Sequence, residues 1–351
     1  MNESTSLKME YSKYTDEEKE LPNKVSDDAD CPYPTEQSHG RRLWLMAVLL
    51  FVSLATISLL YSMDWFPAYL SAPHATALSK IQNVSELKVS LHPHKHHRHV
   101  SRLIMVGDVH GHFKEFRKLT KKLKFNPKKD HIVLLGDFTT KGPDSIRMID
   151  YMVEHADSVD CVLGNHEYYL LKEYAKFHGL AQPEFAYQPS PQEVAATEEL
   201  VHQTNEDPKL IKSLKGRHVQ VINRCSIMMR VGAVPGGLDG VAVHGGISPY
   251  LPLKKQNPYD VLEMRSLEGK RHTKPTPDKG GKSWSKVYNS MKGEAPADHV
   301  VYYGHDASRG LNLKKFTKGM DSGCDKGGSL SAMVISKKGK KLVEEVVLVS
   351  C

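Results

Sequence analysis

The chain has 351 residues, 40% hydrophobic and 25% charged, with 48 Lys/Arg against 41 Asp/Glu and a formal net charge of +7 at pH 7. A folded part of about 250 residues is ample for one hydrophobic core. None of the five cysteines has metal-ligand spacing, which excludes a cysteine-held metal site, and no zinc-finger or RNA-binding motif accompanies the positive charge.

Residues 1–42 hold six Lys/Arg against ten Asp/Glu, a net of −4, so that +7 for the whole leaves +11 for the remainder. This acidic tail lacks apolar periodicity and is expected to be disordered. Lys8, Lys13, Lys19 and Lys24 would be exposed there, as plain solvated lysines or as sites for sorting machinery. The run "LWLMAVLLFVSLATISLLY" 43–61 has no charge and is long enough to cross ~30 Å of hydrocarbon at about 1.5 Å per residue. We read 43–62 as a transmembrane signal anchor. The run starts too far in and is too long for a cleaved h-region, and no small-x-small cleavage site follows it. Arg41 and Arg42 abut it on one side, whereas the other side has no Lys or Arg until Lys80. The positive-inside rule then places 1–42 in the cytosol and the rest in a lumen, a single-pass type II arrangement, with Trp65, Phe66 and Tyr69 as an interfacial aromatic belt.

Residues 63–100 read as a lumenal linker. They contain a glycosylation sequon at Asn83-Val84-Ser85 and the run "HPHKHHRH" 92–99, which could chelate a transition metal, gain charge in an acidic lumen, or serve as a polar spacer.

Within 101–351, five apolar runs end in Gly with Asp, Asn or His: "LIMVGDVHGH" 103–112, "IVLLGDFTTKGP" 132–143, "CVLGNHE" 161–167, "VAVHGGISP" 241–249 and "VVYYGHD" 300–306. Each reads as a buried strand whose polar residues sit at its carboxyl end, where α/β sheets gather ligands. Further strands are expected at 218–222, 227–232, 332–336 and 342–350. Helices are expected at 113–124, 144–156, 167–178, 192–214 and 258–265, with 179–217 as a helical cap. The fold class is α/β: a two-sheet sandwich flanked by helices, preceded by one transmembrane helix.

Two divalent ions about 3.5–4 Å apart can hold a phosphoryl oxygen and activate water if one carboxylate lies between them. Asp137 is the candidate bridge. Asp108 and His110 alternate by two and can reach one ion from a single strand end, leaving Asn165, His244 and His305 for the second. His166 follows Asn165, would point elsewhere, and is the candidate general acid, oriented by Asp137 or Glu167. Mixed N and O ligands suit zinc, manganese or cobalt better than magnesium or calcium. Any one of these motifs alone is more often a turn or a satisfied core histidine. Their combination argues for a site, because apolar residues would serve a core better.

At these residues the chain resembles the phosphoprotein-phosphatase-like branch of the calcineurin-like metallophosphoesterases, over about 101–351. "GDVHGH", "GNHE", "HGGISP" and "DSGCDKGGSLSAMVI" 321–335 are most similar to its diadenosine-tetraphosphatase-like subgroup. The resemblance implies the same assignment: Asp108 and His110 on the first metal, Asp137 bridging, Asn165, His244 and His305 on the second, and His166 as acid. One motif departs. Where the protein phosphatases have Gly-Asp-x-x-Asp-Arg-Gly, this chain has "GDFTTKG" 136–142, so Thr140 and Lys141 replace Asp and Arg, and Lys lacks the fork that grips a phosphate through two parallel bonds. Lys141 and, by family position, Arg265 are the expected phosphate contacts.

Lys at this position resembles the eukaryotic members of the subgroup, whose fungal representatives include a membrane-anchored vacuolar endopolyphosphatase. The resemblance thus implies a hydrolase with two divalent ions, zinc ahead of manganese or cobalt, acting on inorganic polyphosphate in a vacuole lumen. Hydrolysis of diadenosine polyphosphates, protein dephosphorylation, and a non-catalytic receptor on the same scaffold are the alternatives. The basic segments 114–129, 209–218, 254–256 and 269–286 fit a polyanion around such a site. Nucleic acid is not expected on a lumenal face. Cys161, Cys225, Cys324 and Cys351 would lie on the oxidising side, where one or two disulfides are permitted and the pairing stays open.

Overall fold

In the computed structural model, residues 37–62, 75–93, 95–188, 208–291 and 298–351 are described. The strands in chain order are β1 (Val84–Glu86), β2 (Val89–Ser90), β3 (Arg98–His99), β4 (Arg102–Val106), β5 (Asp130–Leu134), β6 (Val159–Cys161), β7 (Met228–Ala233), β8 (Asp239–Val243), β9 (Ser266–Glu268), β10 (Lys274–Thr276), β11 (Lys282–Ser283), β12 (Val300–Tyr303), β13 (Asn312–Leu313), β14 (Thr317–Gly319), β15 (Ser329–Lys338) and β16 (Lys341–Ser350). The helices are α1 (Gln37–Ser62), α2 (Phe113–Lys122), α3 (Ser145–Glu154), α4 (Asn165–Phe177), α5 (Pro208–Ser213), α6 (Gly216–Asn223), α7 (Pro258–Glu263) and α8 (Trp284–Ser290).

Two main sheets form the expected sandwich. One has the order β16-β15-β4-β5-β6 and the other β1-β7-β8-β12-β14-β13. Strands β4, β5 and β6 run parallel, as do β8, β12 and β14, so the loops carrying the polar motifs leave each sheet at one edge. Alternate residues divide two ways. Leu103, Met105, Val133 and Leu135 pack with Met229, Val231, Ala242 and Tyr302 of the other sheet, while Ile104, Val106, Ile132 and Leu134 pack with helix residues such as Phe116 and Met148. Burial on both faces is why these strands read as continuous apolar runs.

Three expectations need correction. Residues 218–222 are not a strand: they lie in α6, where His218, Val219, Val221 and Ile222 are all buried and the Lys215 amide donates to His218 Nδ1 (3.1 Å). A five-residue apolar alternation fits either period. The linker 63–100 is also wrong in its later part. Ile81 is fully buried, β1 pairs in parallel with β7, and Leu87, Val89, Leu91 and Val100 fill the inter-sheet core. Within the His-rich run, Arg98 donates to the Asp157 carbonyl (2.9 Å) and lies 3.1 Å from His131 Nδ1. The third concerns the surroundings of Asn83, expected in an exposed linker. Asn83 is 8% exposed, its Oδ1 accepts from the Tyr187 amide (2.9 Å), and its Nδ2 is closed off from solvent, so a glycan on that nitrogen requires this packing to open.

The chain divides into two compact units, Met1–Trp65 and Phe66–Cys351. The first contains α1, in which Gly40–Leu59 is long and apolar enough to cross a membrane, with mean hydropathy 2.0. In the second, disulfides join Cys161 to Cys225 and Cys324 to Cys351. An apolar anchor with disulfides points to the secretory pathway. The tail up to residue 36 with its lysines and Cys31, the aromatic belt, and the expected helix over 192–207 lie outside the described residues.

Candidate metal centre

Asp108 and His110 follow β4, Asp137 follows β5, Asn165 opens α4 just beyond β6, and His244 and His305 follow β8 and β12. The two sheets bring these loops face to face. The His305 amide donates to both oxygens of Asp108 (3.0 and 3.1 Å), and the His244 ring reaches the Leu135 carbonyl beyond β5 (2.8 Å). Glycine is required at the crossing points: a Cβ at Gly164 would collide with Asp137, and one at Gly304 with Asp108. Among the described residues, seven non-glycine positions have positive φ, and His110, Asp137, Thr140, Lys141 and His305 are five of them. Backbone strain is thus concentrated where the surrounding structure fixes these side chains.

The deep half of the centre has only electron-pair donors pointing inward. A carbonyl can only accept, so His244 Nδ1 carries the proton given to Leu135 and its Nε2 presents a lone pair. By the same argument His305 Nε2 donates to the Glu263 carbonyl (3.0 Å), leaving Nδ1 as a lone pair 3.1 Å from His244 Nε2. Asn165 Oδ1 lies 3.0 Å and Asp137 Oδ1 3.3 Å from that same Nε2. Acceptors facing acceptors at these distances call for a cation between them. Outside this group, His110 Nε2 lies 3.7 Å from Asp137 Oδ2 and 3.9 Å from Asp108 Oδ2, with His110 Nδ1 buried and without a hydrogen-bond partner. Two ligand clusters result, Asp137 with His244 and His305, and Asp137 with His110 and His166. Asp137 is common to both, so the residues present fit a dinuclear His/Asp metal site.

His166 Nε2 lies 4.0 Å from Asp137 Oδ2, closer to the ligands than its sequence position suggests. Asp137, not Glu167, is therefore the carboxylate beside it. Glu167 faces the other way: its oxygens accept from the amides of Asp137 (2.7 Å), Thr139 (2.9 Å) and Gly164 (3.1 Å) and from Thr139 Oγ1 (2.6 Å). It props the loop that carries Asp137. The His166 amide, in the first turn of α4, donates to Asp137 Oδ1 (3.1 Å), a carboxylate held at a helix amino terminus.

The electrostatics of the metal-free centre are in conflict. Burial, together with the carboxylates of Asp321 and Asp137, holds Asp108 well above its ordinary range. Burial works the same way on Asp137, yet the imidazoles of His244, His166 and His110 outweigh it and hold that carboxyl well below its ordinary range. Burial pushes His110 down to about 4 and Glu167 up to about 7, and burial with Arg265 and His244 pushes His305 down. Asp108, kept from ionising, and His244, on which burial is outweighed by the Asp137 carboxylate so that the ring is shifted up, carry protons that a divalent cation displaces, while His110 and His305 are already held in the neutral form that binds metal.

Asp108, His110, Asp137, Asn165, His166, His305, Lys141 and Arg265 line one cleft of about 140 Å³, and His244 is fully buried. Lys141 Nζ lies 2.9 Å from His110 Nε2 and 3.8 Å from Asp325 Oδ2. Arg265 donates to the His305 and Pro277 carbonyls (both 3.4 Å). Of the basic segments expected at the rim, 269–286 reaches the cleft through Lys279. The His-rich run does not: His92 and His97 line a separate cavity with Glu86, Arg230 and Asp239. Sequence reasoning gave no role to Asp321, Asp325 and Lys326, which also line the cleft, and reached Lys279 only within the basic segment 269–286. Asp321 carried a usable signal, since it follows the parallel strand β14 as His305 follows β12.

Residues 101–328 match the calcineurin-like phosphoesterase family. The chain is 28% identical to a zinc-dependent endopolyphosphatase of Saccharomyces cerevisiae, over 87% of this chain and 95% of that protein. It is 27% identical to a symmetrical bis(5'-nucleosyl)-tetraphosphatase of Chromobacterium violaceum, over 66% and 91%. A solved structure of a proposed diadenosine tetraphosphatase superposes with a TM-score of 0.53 at 26% identity, covering 75% of this chain and 97% of that one.

Proposed function

Because the chain belongs to the calcineurin-like phosphoesterase family, we propose that it is a metal-dependent endopolyphosphatase that hydrolyses internal phosphoanhydride bonds of inorganic polyphosphate. One observation carries the choice of substrate: Lys141, Arg265, Lys279 and Lys326 line the same cleft as the shared-carboxylate ligand set. The likeness to the yeast endopolyphosphatase supports it.

When bound, two divalent ions polarise a phosphoryl oxygen and supply a nucleophilic water at neutral pH. Asp137 would be shared between the two ions, Asp108 and His110 would hold the first, and Asn165, His244 and His305 would hold the second. Zinc is the ion we assign, with manganese or cobalt as substitutes. The chain's own groups do the rest. Lys141 and Arg265 neutralise the non-bridging oxygens of the phosphoryl being transferred, and His166 protonates the leaving oxygen as the P–O bond breaks. The cations along the cleft hold phosphates on either side of the reacting one, so internal bonds are presented to the ions.

The location follows the same reading. Arg41 and Arg42 hold residues 1–42 in the cytosol, where the tail can meet sorting machinery, and the catalytic unit lies in the vacuole lumen. Protease added to sealed vesicles should remove only the tail, and digestion of the catalytic unit would reverse the orientation.

To test the substrate, the full chain in detergent, loaded with Zn²⁺, Mn²⁺ or Co²⁺, is given long polyphosphate. The expected result is mid-sized chains before free phosphate accumulates. Phosphate release from the start would mean attack at ends and would overturn the internal-cleavage reading. A second reading, hydrolysis of dinucleoside polyphosphates, is favoured by the tetraphosphatase relatives. A preparation that ignores polyphosphate and splits diadenosine tetraphosphate would put it first.

A further inference from the structure

One wall of the cleft is a short loop between β14 and β15. It contributes Asp321, Gly323, Asp325 and Lys326 to the lining. Asp321 is buried and accepts from the Gly323 amide (3.0 Å), and it presses on the Asp108 carboxylate. Asp325 stands 3.8 Å from the Lys141 ammonium. The loop is rich in glycine, with Gly323 and Gly327 in the left-handed region (φ 75° each), and such backbone loses much conformational freedom when it is fixed.

Within itself and toward β15 the loop is tied by hydrogen bonds of Ser322 to Ser329 and Ser331, and its one covalent tie is the disulfide from Cys324 to Cys351. Cys324 lies between Asp321 and Asp325, and Cys351 directly follows β16, the edge strand of the five-stranded sheet. Their union is reinforced by the Cys351 amide donating to the Gly328 carbonyl (2.9 Å) and by the Ser329–Ser350 pair that closes the β15/β16 hairpin. Neither disulfide puts a cysteine into the cleft lining, but Cys324 stands between two residues that do line it, Gly323 and Asp325, whereas Cys161 and Cys225 have no such neighbours there.

We infer that Cys324 and Cys351 are positioning residues for the phosphate-binding side of this centre: their disulfide fastens the Asp321–Lys326 wall to the edge strand and thereby sets Asp325 against Lys141. The inference rests on Lys141 meeting a phosphate, as proposed above, and needs no particular phosphate substrate. Without the bond the loop is tied only by hydrogen bonds, and Lys141 loses the carboxylate that orients it.

The test uses the full chain loaded with Mn²⁺, and inorganic phosphate as the probe. In the Cys324→Ala/Cys351→Ala pair, amides of the 321–328 loop should exchange with solvent at least about tenfold faster, the mark of local opening, while those of β15 keep their protection. Phosphate affinity by calorimetry should fall about three- to tenfold, within the range for members of one ion-pair network. Two Mn²⁺ per chain should remain. Lys141→Ala should weaken phosphate by a similar factor, and adding it to the cysteine pair should cause little further loss, a non-additivity that a general loss of stability would not produce. Asp325→Asn, which leaves the disulfide in place, should reproduce the affinity change without the faster loop exchange, and if the cysteine pair does not fold, Cys351→Ser alone, at an exposed residue, breaks the bond and supplies both readouts. Unchanged loop exchange, an unchanged phosphate affinity in Asp325→Asn, or full additivity with Lys141→Ala would each overturn the inference. A chain that keeps this phosphate behaviour but leaves polyphosphate uncut would overturn the substrate reading alone.

Discussion

The deep side of the metal centre and its mouth are held by different means. In the depth, His244 and Glu167 are fully buried and His305 is 5% exposed, and each is oriented chiefly by the main chain: a carbonyl for either histidine, three amides for the glutamate. At the mouth, the side chains of Lys141 and Asp325 are 39% and 24% exposed, and their partners are other side chains on loops. Backbone groups are placed by the sheets themselves, so the ligand set is as rigid as the fold. Mouth residues can change without disturbing the sheets, as expected of side chains carried on loops.

Asp137 belongs to both regions, and replacing it is the severest way to test the comparison. Asp137→Asn should lose bound metal and drop activity beyond the ~10²–10⁴-fold cost of losing an acid–base group. Metal analysis alongside turnover checks this, and a variant that keeps both would remove Asp137 as the shared ligand. Chelation of the intact protein should also lower its melting temperature, since a ligand at about a hundredfold its Kd stabilises by roughly 2.7 kcal/mol.

His166 sharpens the boundary between depth and mouth. As acid, His166→Asn should cut turnover by about 10²–10⁴-fold with metal content and melting temperature near those of the parent, whereas His244→Asn should release metal. Loss of metal from His166→Asn would make it a ligand, in keeping with its proximity to Asp137 and His110.

Glu167 comes next, because it touches the ions only through the loop it props. Glu167→Gln replaces a charge-assisted acceptor of four hydrogen bonds with an amide whose NH2 faces donors. Turnover should fall about 10–100-fold, as for outer partners of metal ligands, and stability by about 1.5–3 kcal/mol, read from denaturant unfolding.

The depth was also the part that could be read from the residues. Asp108, Asp137, His244 and His305 each end an apolar run, and strand periodicity alone places such residues at one sheet edge. The mouth was harder to read. Lys279 sits in the turn between β10 and β11, where nothing in its neighbours distinguishes it from a solvated lysine. Residues 81–100 were misread because the histidines between 92 and 99 mask a regular signal just before them: Leu87, Val89 and Leu91 alternate as a half-buried strand does. The burial of the Asn83 sequon was hidden for a related reason. A triplet motif reports chemistry and is silent about burial, and here the asparagine is packed behind Phe185 and Tyr187 through an isolated Ile81–Phe185 bridge and the Tyr187 amide. The disulfides were undetermined because four cysteines allow three pairings, and only the fold brings Cys351 back to the Cys324 loop.

The smallest expected effects lie at the mouth, and they separate its two proposed phosphate contacts. Lys141 presents its ammonium to the cleft with two side-chain neighbours, so Lys141→Ala should raise KM for polyphosphate about three- to tenfold, as for inorganic phosphate. Arg265 already gives donors to the carbonyls of His305 and Pro277, so part of its fork is committed to holding the loop that carries a deep ligand. Arg265→Lys should then raise KM less than Lys141→Ala does, while Arg265→Ala should also weaken metal binding through His305. Added salt should reduce the Lys141 effect first, because an exposed charge is screened more than a half-buried one. Equal salt sensitivity in the two variants, measured as KM between low and physiological ionic strength, would mean that both residues belong to the solvent-facing mouth, and the boundary drawn between mouth and depth would have to move inward past Arg265.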